Sequence, residues 1–196
     1  MRMVMKMMIE SDDGRLLTEN EIFRIERGAQ SRIAQTGLGL TLLEAKASLA
    51  ATQQAFVATQ AEEIVMRASH CPDCGIALKV KDCRQIVYRT LLGKLRLSSP
   101  RLIACQCQAG SSVRSFSPLA NALRDRTHPE LQYLTTRWAS ILSYGTCSTL
   151  LDEILPIGTA MSCSSVRNTV QRIGERMDAE TSPPEGLQTV RHRINP

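Results

Sequence analysis

The sequence predicts an α+β fold, and three observations carry that expectation. Short runs with two-residue alternation flank Asp13-Gly14 and Leu92-Gly93, the pattern of β-hairpins closed by tight turns. Longer runs within 41–68 and 129–180 step by three and four residues, as one-sided helices do. Between them, His70–Cys107 opens with Cys71-Pro-Asp-Cys74-Gly75 and closes with Cys105-Gln-Cys107, so two cysteine pairs bracket an alternating stretch.

Taken in order, Arg2–Glu10 and Leu16–Arg24 have strand character around Ser11-Asp-Asp-Gly14, where Gly14 can take a positive φ at low cost. A β-hairpin is expected here, as an edge ornament or a pairing surface. Residues Gly28–Gly39 read as a loop. A helix is expected from Thr41 to about Ala68, begun by the capping box of Thr41 and Glu44. Leu43, Ala47, Ala50, Gln54, Val57, Ala61, Ile64 and Ala68 trace one stripe along it, equally suited to a dimer seam or to packing inside its own domain.

After Gly75, strands are expected at Ile76–Lys81, Gln85–Leu91 and Lys94–Ser98, with Leu95 and Leu97 inward and Lys94 and Arg96 outward. Pro100 is expected to break the last of these, and Arg101–Ala104 returns the chain to the second cysteine pair. Gln108–His128 reads as irregular. A helix then starts near Pro129 with Leu131, Leu134, Trp138, Ile141 and Leu142 on one face, ending at Gly145. A second is expected at Cys147–Leu155 before Pro156. A third spans about Ser164–Glu180 with Val166, Val170, Ile173 and Met177 as its buried stripe. Three helices with short joints outline a helix-turn-helix, although the joint Pro156–Cys163 is longer than the usual turn. Thr181–Pro196 has no period and reads as a linker.

Four soft donors on two short chelating loops suit a tetrahedral thiolate site, so Cys71, Cys74, Cys105 and Cys107 are the expected ligands of a structural zinc ion. His70 and Cys83 are neighbours that could substitute. A redox Cys-x-x-Cys is the rival, but that chemistry wants its first cysteine at a helix start, and strand-like residues follow Gly75. Cys147 and Cys163 read as small core residues. The expected units are therefore 1–69, a hairpin plus long helix; 70–128, a zinc-ribbon-like module and connecting loop; 129–180, a helix-turn-helix-like domain; and 181–196, a linker.

Charge placement suggests the partner. The 196 residues carry a formal net charge of +5, and His70–Arg126 holds ten Lys or Arg against three Asp, leaving fourteen against sixteen elsewhere. A cationic module on a near-neutral body points to a polyanion, most simply the backbone of DNA or RNA, with double-stranded DNA the expected partner. One tryptophan and three tyrosines leave little for stacking single-stranded bases. The expected DNA contacts are Arg89, Lys94, Arg96 and Arg101 from the basic module, with Ser165, Arg167, Asn168, Gln171 and Arg172 from the third helix, where Arg, Asn and Gln have the edges that read bases. Seven cysteines without a secretory signal suggest a reducing, cytoplasmic compartment, and no run reaches membrane-spanning length. No phosphate-binding glycine loop, zinc-protease motif or nucleophile elbow occurs, and no catalytic residue is assigned.

The runs Thr41-Leu-Leu-Glu-Ala-Lys46, His70-Cys-Pro-Asp-Cys-Gly75, Tyr88-Arg-Thr-Leu-Leu-Gly-Lys-Leu-Arg-Leu-Ser-Ser-Pro-Arg-Leu102 and Arg114-Ser-Phe-Ser-Pro-Leu119 resemble the amino-terminal region of ISKra-type insertion-sequence transposases, as do Leu131–Tyr144 and Ser165-Val-Arg-Asn168. The resemblance extends to about residue 180. It implies a bacterial, nucleoid-associated mobile-element protein that binds the terminal repeats of its element and cuts and joins DNA through a DDE carboxylate triad holding magnesium. That core would lie beyond the residues present, so the expectation is a truncated or fragmentary chain, not competent for strand transfer alone. A homodimer or association with full-length transposase remains open. The competing expectations are a stand-alone zinc-ribbon and helix-turn-helix regulator, and a zinc-stabilised protein-interaction module.

Overall fold

A computed structural model of the chain describes residues 1–28, 38–108, 115–157 and 161–181. Most of the loop expected at Gly28–Gly39, part of the segment Gln108–His128, the middle of the joint Pro156–Cys163 and nearly all of the tail from Thr181 lie outside these residues. The described residues form an α+β fold with five strands in two sheets and five helices.

Strands β1 (Arg2–Glu10) and β2 (Leu16–Glu26) make an antiparallel hairpin. Gly14 has φ 78° and donates its N–H to Ser11 O at 2.9 Å, which closes the turn. β2 runs two residues further than the alternation predicts. Arg27, just past it, forks onto Glu44 with N···O distances of 2.5 and 2.6 Å. Glu44 is also the third residue of α1 (Leu42–Arg67) and accepts from the Thr41 N–H at 2.9 Å, while Thr41 Oγ1 accepts from the Glu44 N–H at 3.2 Å. The capping box thus starts the helix and fastens the hairpin to it, and the Arg27 guanidinium holds the Glu44 carboxyl down to about 2.

Only part of the expected α1 stripe faces the interior. Val57, Ala61 and Ile64 pack with Ile86, Leu95, Leu97 and Leu119, whereas Leu43 is 77% exposed and Ala47 and Gln54 are exposed too. The first half of the helix is covered instead by the β1–β2 hairpin, where buried Ser48 meets Met5 Sδ at 3.7 Å, so the covered face departs from the stripe along the helix.

Strands β3 (Val80–Thr90) and β4 (Gly93–Ile103) form a second antiparallel hairpin, and β5 (Ser115–Phe116) pairs with Leu102 and Ile103. Leu95, Leu97, Ser99 and Leu102 are buried and Lys94, Arg96 and Ser98 exposed. Pro100 does not break β4, contrary to expectation, and the register explains why. Arg89 turns its N–H to Arg126 O at 2.9 Å and its carbonyl to the His128 N–H at 2.8 Å, so the pair Arg89–Lys94 exchanges no ladder bonds. Alternate pairs behave alike, and stepping by two leads to Cys83–Pro100. The Pro100 nitrogen therefore faces away from β3, toward an edge that β5 covers only at Leu102 and Ile103, and no ladder donor is lost.

The expected irregular segment also contains order. Besides β5, helix α2 (Pro118–Ala122) starts at Ser117, whose hydroxyl accepts from the Ala120 N–H at 3.3 Å and meets Ser99 Oγ at 2.6 Å. Helices α3 (Pro129–Ala139), α4 (Tyr144–Ile154) and α5 (Cys163–Thr181) pack around Leu131, Cys147, Leu151, Ile157, Met161 and Val166. Gly145 does not end the first of these: α3 stops at Ala139, and Ser143 caps α4 by accepting from the Thr146 N–H at 3.2 Å, leaving Gly145 in the new helix's first turn. Ile141 and Met177, expected inside, are 76% and 58% exposed, and Cys163 is exposed. Leu91, in the β3–β4 turn, packs onto this helical core, so the second hairpin is anchored at its closed end.

Candidate metal centre

The open end of the β3–β4 hairpin carries the four cysteines. As the chain leaves α1, Ser69 O accepts from the Leu78 N–H at 2.7 Å and His70 bridges Ala77, so the chain doubles back around residues 71–76. Inside this loop Cys71 donates its N–H to Ile76 O and receives the Gly75 N–H, both at 2.9 Å. Gly75 has φ 72°, a left-handed conformation that lets the chain turn sharply enough to set the thiols of Cys71 and Cys74 on one side. The long hairpin then returns the chain, with Ile103 donating to Lys79 O at 2.9 Å. A 3-10 turn at Gln106–Gln108 lifts Cys107 back beside Cys105.

The result is a cluster in which the sulfurs of Cys71, Cys74, Cys105 and Cys107 all lie within 4.8 Å of one another. Cys74 and Cys105 are 3.6 Å apart and Cys105 and Cys107 3.2 Å. A disulfide would need about 2.05 Å, and all four are free. A small tetrahedral ion bound to thiolates at about 2.3 Å sets its sulfurs about 3.8 Å apart. The donor set therefore fits a metal ion. Cys71 is buried, Cys105 half-buried, and Cys74 and Cys107 exposed.

The electrostatics agree with that fit. The Cys107 N–H and the thiols of Cys107 and Cys74 donate toward Cys105, which lowers it to about 7. Donation to Cys74 and Cys105 in turn pushes Cys107 up to about 12. The Ile76 N–H favours a Cys74 thiolate, but burial and competition with Cys105 and Cys71 outweigh it, and its value is raised. One thiolate solvated by protonated neighbours is what four crowded thiols can manage alone, because each further ionisation meets like charge. A divalent cation removes that obstacle by supplying the opposite charge to all four.

His70 and Cys83 lie outside the cluster: His70 Nδ1 meets Ser69 Oγ at 2.9 Å, and Cys83 Sγ meets Ser98 Oγ at 2.9 Å within the hairpin. Residues 75–79 after Cys74 contain no helix, so the redox arrangement is not built here.

The candidate DNA contacts separate into groups. Arg89 and Lys94 from the β3–β4 turn region, with Ser165 and Asn168 of α5, line one cavity of about 360 Å³. Arg96 instead borders a groove against α1, beside Ala58, Glu62 and Val65. Arg101 is half-buried and occupied, by Asp82 at 3.2 Å and Ser115 Oγ at 2.8 Å. Arg172 pairs with Asp125. Arg167 and Gln171 are exposed on α5. Sequence reasoning missed Thr127, Ser162 and Thr169, which line the same cavity as Arg89. Ser162 had a local signal, as the cap whose hydroxyl accepts from the Ser165 N–H at 3.2 Å; Thr127 had none. Among the described residues no helix is long and apolar enough to cross a membrane. No protein-family model, curated protein or solved structure matches the chain.

Proposed function

We propose that the chain is a zinc-organised DNA-binding module that engages the terminal repeats of an insertion sequence, as its resemblance to ISKra-type transposases implies. The observation that carries this reading is the convergence of four thiols within 4.8 Å at the open end of a hairpin whose exposed positions include Arg89, Lys94 and Arg96. Zinc is the assignment because an all-sulfur tetrahedral set is its habitual structural site. With four thiolates its shell is closed, so the ion fixes the two cysteine loops and activates no water. In this reading the loops and the β3–β4 pair are a zinc ribbon. Helices α4 and α5 are a helix-turn-helix, with α5 offering Ser165, Arg167, Asn168 and Gln171 to a groove. Element ends are the partner, as free chain or joined to full-length transposase, and strand transfer is left to acidic residues that the resemblance does not place here.

Binding of the purified chain to duplexes carrying the terminal repeats, compared with random duplexes at two salt concentrations, tests the reading. Preference for the repeats is the expected result. Equal binding governed only by salt reduces the role to phosphate contact. A second reading, a zinc-stabilised protein-interaction module, is favoured by the exposed methionines of the first hairpin, Met3, Met5 and Met8 at 41, 47 and 61%. It is the reading left if no duplex binds.

A further inference from the structure

The geometry points to the cleft between the β3–β4 turn and the amino-terminal half of α5 as a seat for a phosphodiester of the DNA backbone. This deepens the DNA-binding reading and rests on it. The cleft joins residues more than 60 positions apart in sequence. Arg89 and Lys94 contribute two cations from one side, and Ser162, Ser165, Asn168 and Thr169 face them from the other. No acidic side chain is among its described lining residues. An anion entering it meets two positive charges with hydroxyl and amide donors, and no repelling carboxylate on its walls.

Backbone bonds and buried side chains brace both walls. Arg89 and Lys94 face each other across the hairpin as a non-bonded pair, so their side chains leave the same sheet face. The Arg89 backbone is held on both its N–H and its carbonyl by residues 126 and 128, and Gln132 Nε2 donates to Thr127 O at 2.8 Å. Across the cleft, buried Val166 holds the first turn of α5, and Ile157 and Met161, both buried, lie beneath it. Neither Arg89 nor Lys94 has a carboxylate partner within salt-bridge distance among the described residues. Arg101 and Arg172, by contrast, are already paired.

The contacts on this face then divide by role. Arg89 and Lys94 set the position of the duplex through its phosphates, and Arg167 and Gln171, exposed on α5 and outside the cleft, remain for base edges. Each phosphate contact adds about 1 to the slope of log K against log salt, equally for every sequence.

The test uses the full, zinc-loaded chain and measures that slope on a terminal-repeat duplex and a random duplex. Arg89→Gln and Lys94→Gln, which keep polar heads on long stems, are each expected to lower the slope by about 1, and the double variant by about 2, on both duplexes. Arg15→Gln, on the first hairpin and 83% exposed in its side chain, is the control and keeps the wild-type slope. Acetylation footprinting of the unmodified chain gives a second reading: Lys94 is expected to be protected when duplex is bound. Wild-type binding with an unchanged slope in the double variant, or Lys94 acetylated at the same rate with and without duplex, overturns the cleft and leaves the DNA reading standing. Failure of the wild-type chain to bind either duplex overturns both.

Discussion

On the zinc assignment proposed above, withdrawing the metal should open one end of the β3–β4 hairpin and leave the other closed. Around the cysteines, four backbone bonds hold the loops without an ion: Leu78 to Ser69, Cys71 to Ile76, Gly75 to Cys71 and Ile103 to Lys79. At about 1 kcal/mol each they supply about 4 kcal/mol. A structural zinc site contributes on the order of 10–16 kcal/mol when its ligands converge. Local opening at the cysteines therefore becomes easier by about 10 kcal/mol or more, equivalent to about seven orders of magnitude or more in amide exchange, capped by global unfolding. Fraying should stop where the hairpin meets α1. There Ile86, Leu95 and Leu97 are 5, 2 and 3% exposed, and each buried side chain contributes about 1.5–3 kcal/mol. Hydrogen exchange read by mass spectrometry, with and without a chelator, checks this. The amides of Cys71, Gly75, Leu78 and Ile103 should lose protection, while those of Tyr88, Leu95, Cys147 and Val166 keep theirs. Uniform loss across both sets, or no change in either, would refute the reasoning.

Three further expectations come from other parts of the fold. Leu151→Ala should cost about 2–5 kcal/mol in denaturant unfolding because Leu151 is fully buried between α3, α4 and α5, whereas Ile141→Ala, at an exposed site, should stay within about 0.5 kcal/mol. The Glu44 carboxyl is held at about 2 by Arg27, below its unfolded value of about 4.3. Its contribution to stability is complete above the unfolded value and lost as pH falls through the folded one. Melting temperatures taken from pH 6 down to pH 2 should consequently fall less steeply in Glu44→Gln than in the wild-type chain, and parallel curves would contradict the linkage. Thr41→Ala removes one half of the capping box and should lower stability by about 1 kcal/mol, read as a shift in the denaturant midpoint.

The parts of the fold legible in the sequence are those whose causes are local. Thr41 and Glu44 sit three residues apart and mark the start of α1 in any context, and Asp13-Gly14 closes β1–β2 in the same way. The cysteine loops belong to this class, since Gly75 and the short spacings determine which way the thiols face. What sequence reasoning misplaced depends on distant partners. Whether Pro100 interrupts a strand is decided by which edge its nitrogen faces, and that follows from Arg89 bonding to residues 126 and 128. The outward position of Leu43 reflects which face of α1 the first hairpin covers, that of Ser48, and periodicity carries no record of that. Gly145 was a different failure, because the cap at Ser143 was local and readable. That Arg89 and Asn168 line one cavity follows from the hairpin turn docking on the helical core through Leu91, a contact without a sequence signature.

X-ray absorption at the zinc edge of the purified, reduced chain bears on the whole proposal, since the ribbon, its basic face and the DNA reading all assume one ion held by Cys71, Cys74, Cys105 and Cys107. The expected spectrum has four sulfur neighbours at about 2.3 Å and no nitrogen or oxygen neighbour, with one zinc per chain. A first shell containing oxygen or nitrogen, or a chain that carries no stoichiometric metal, would contradict it.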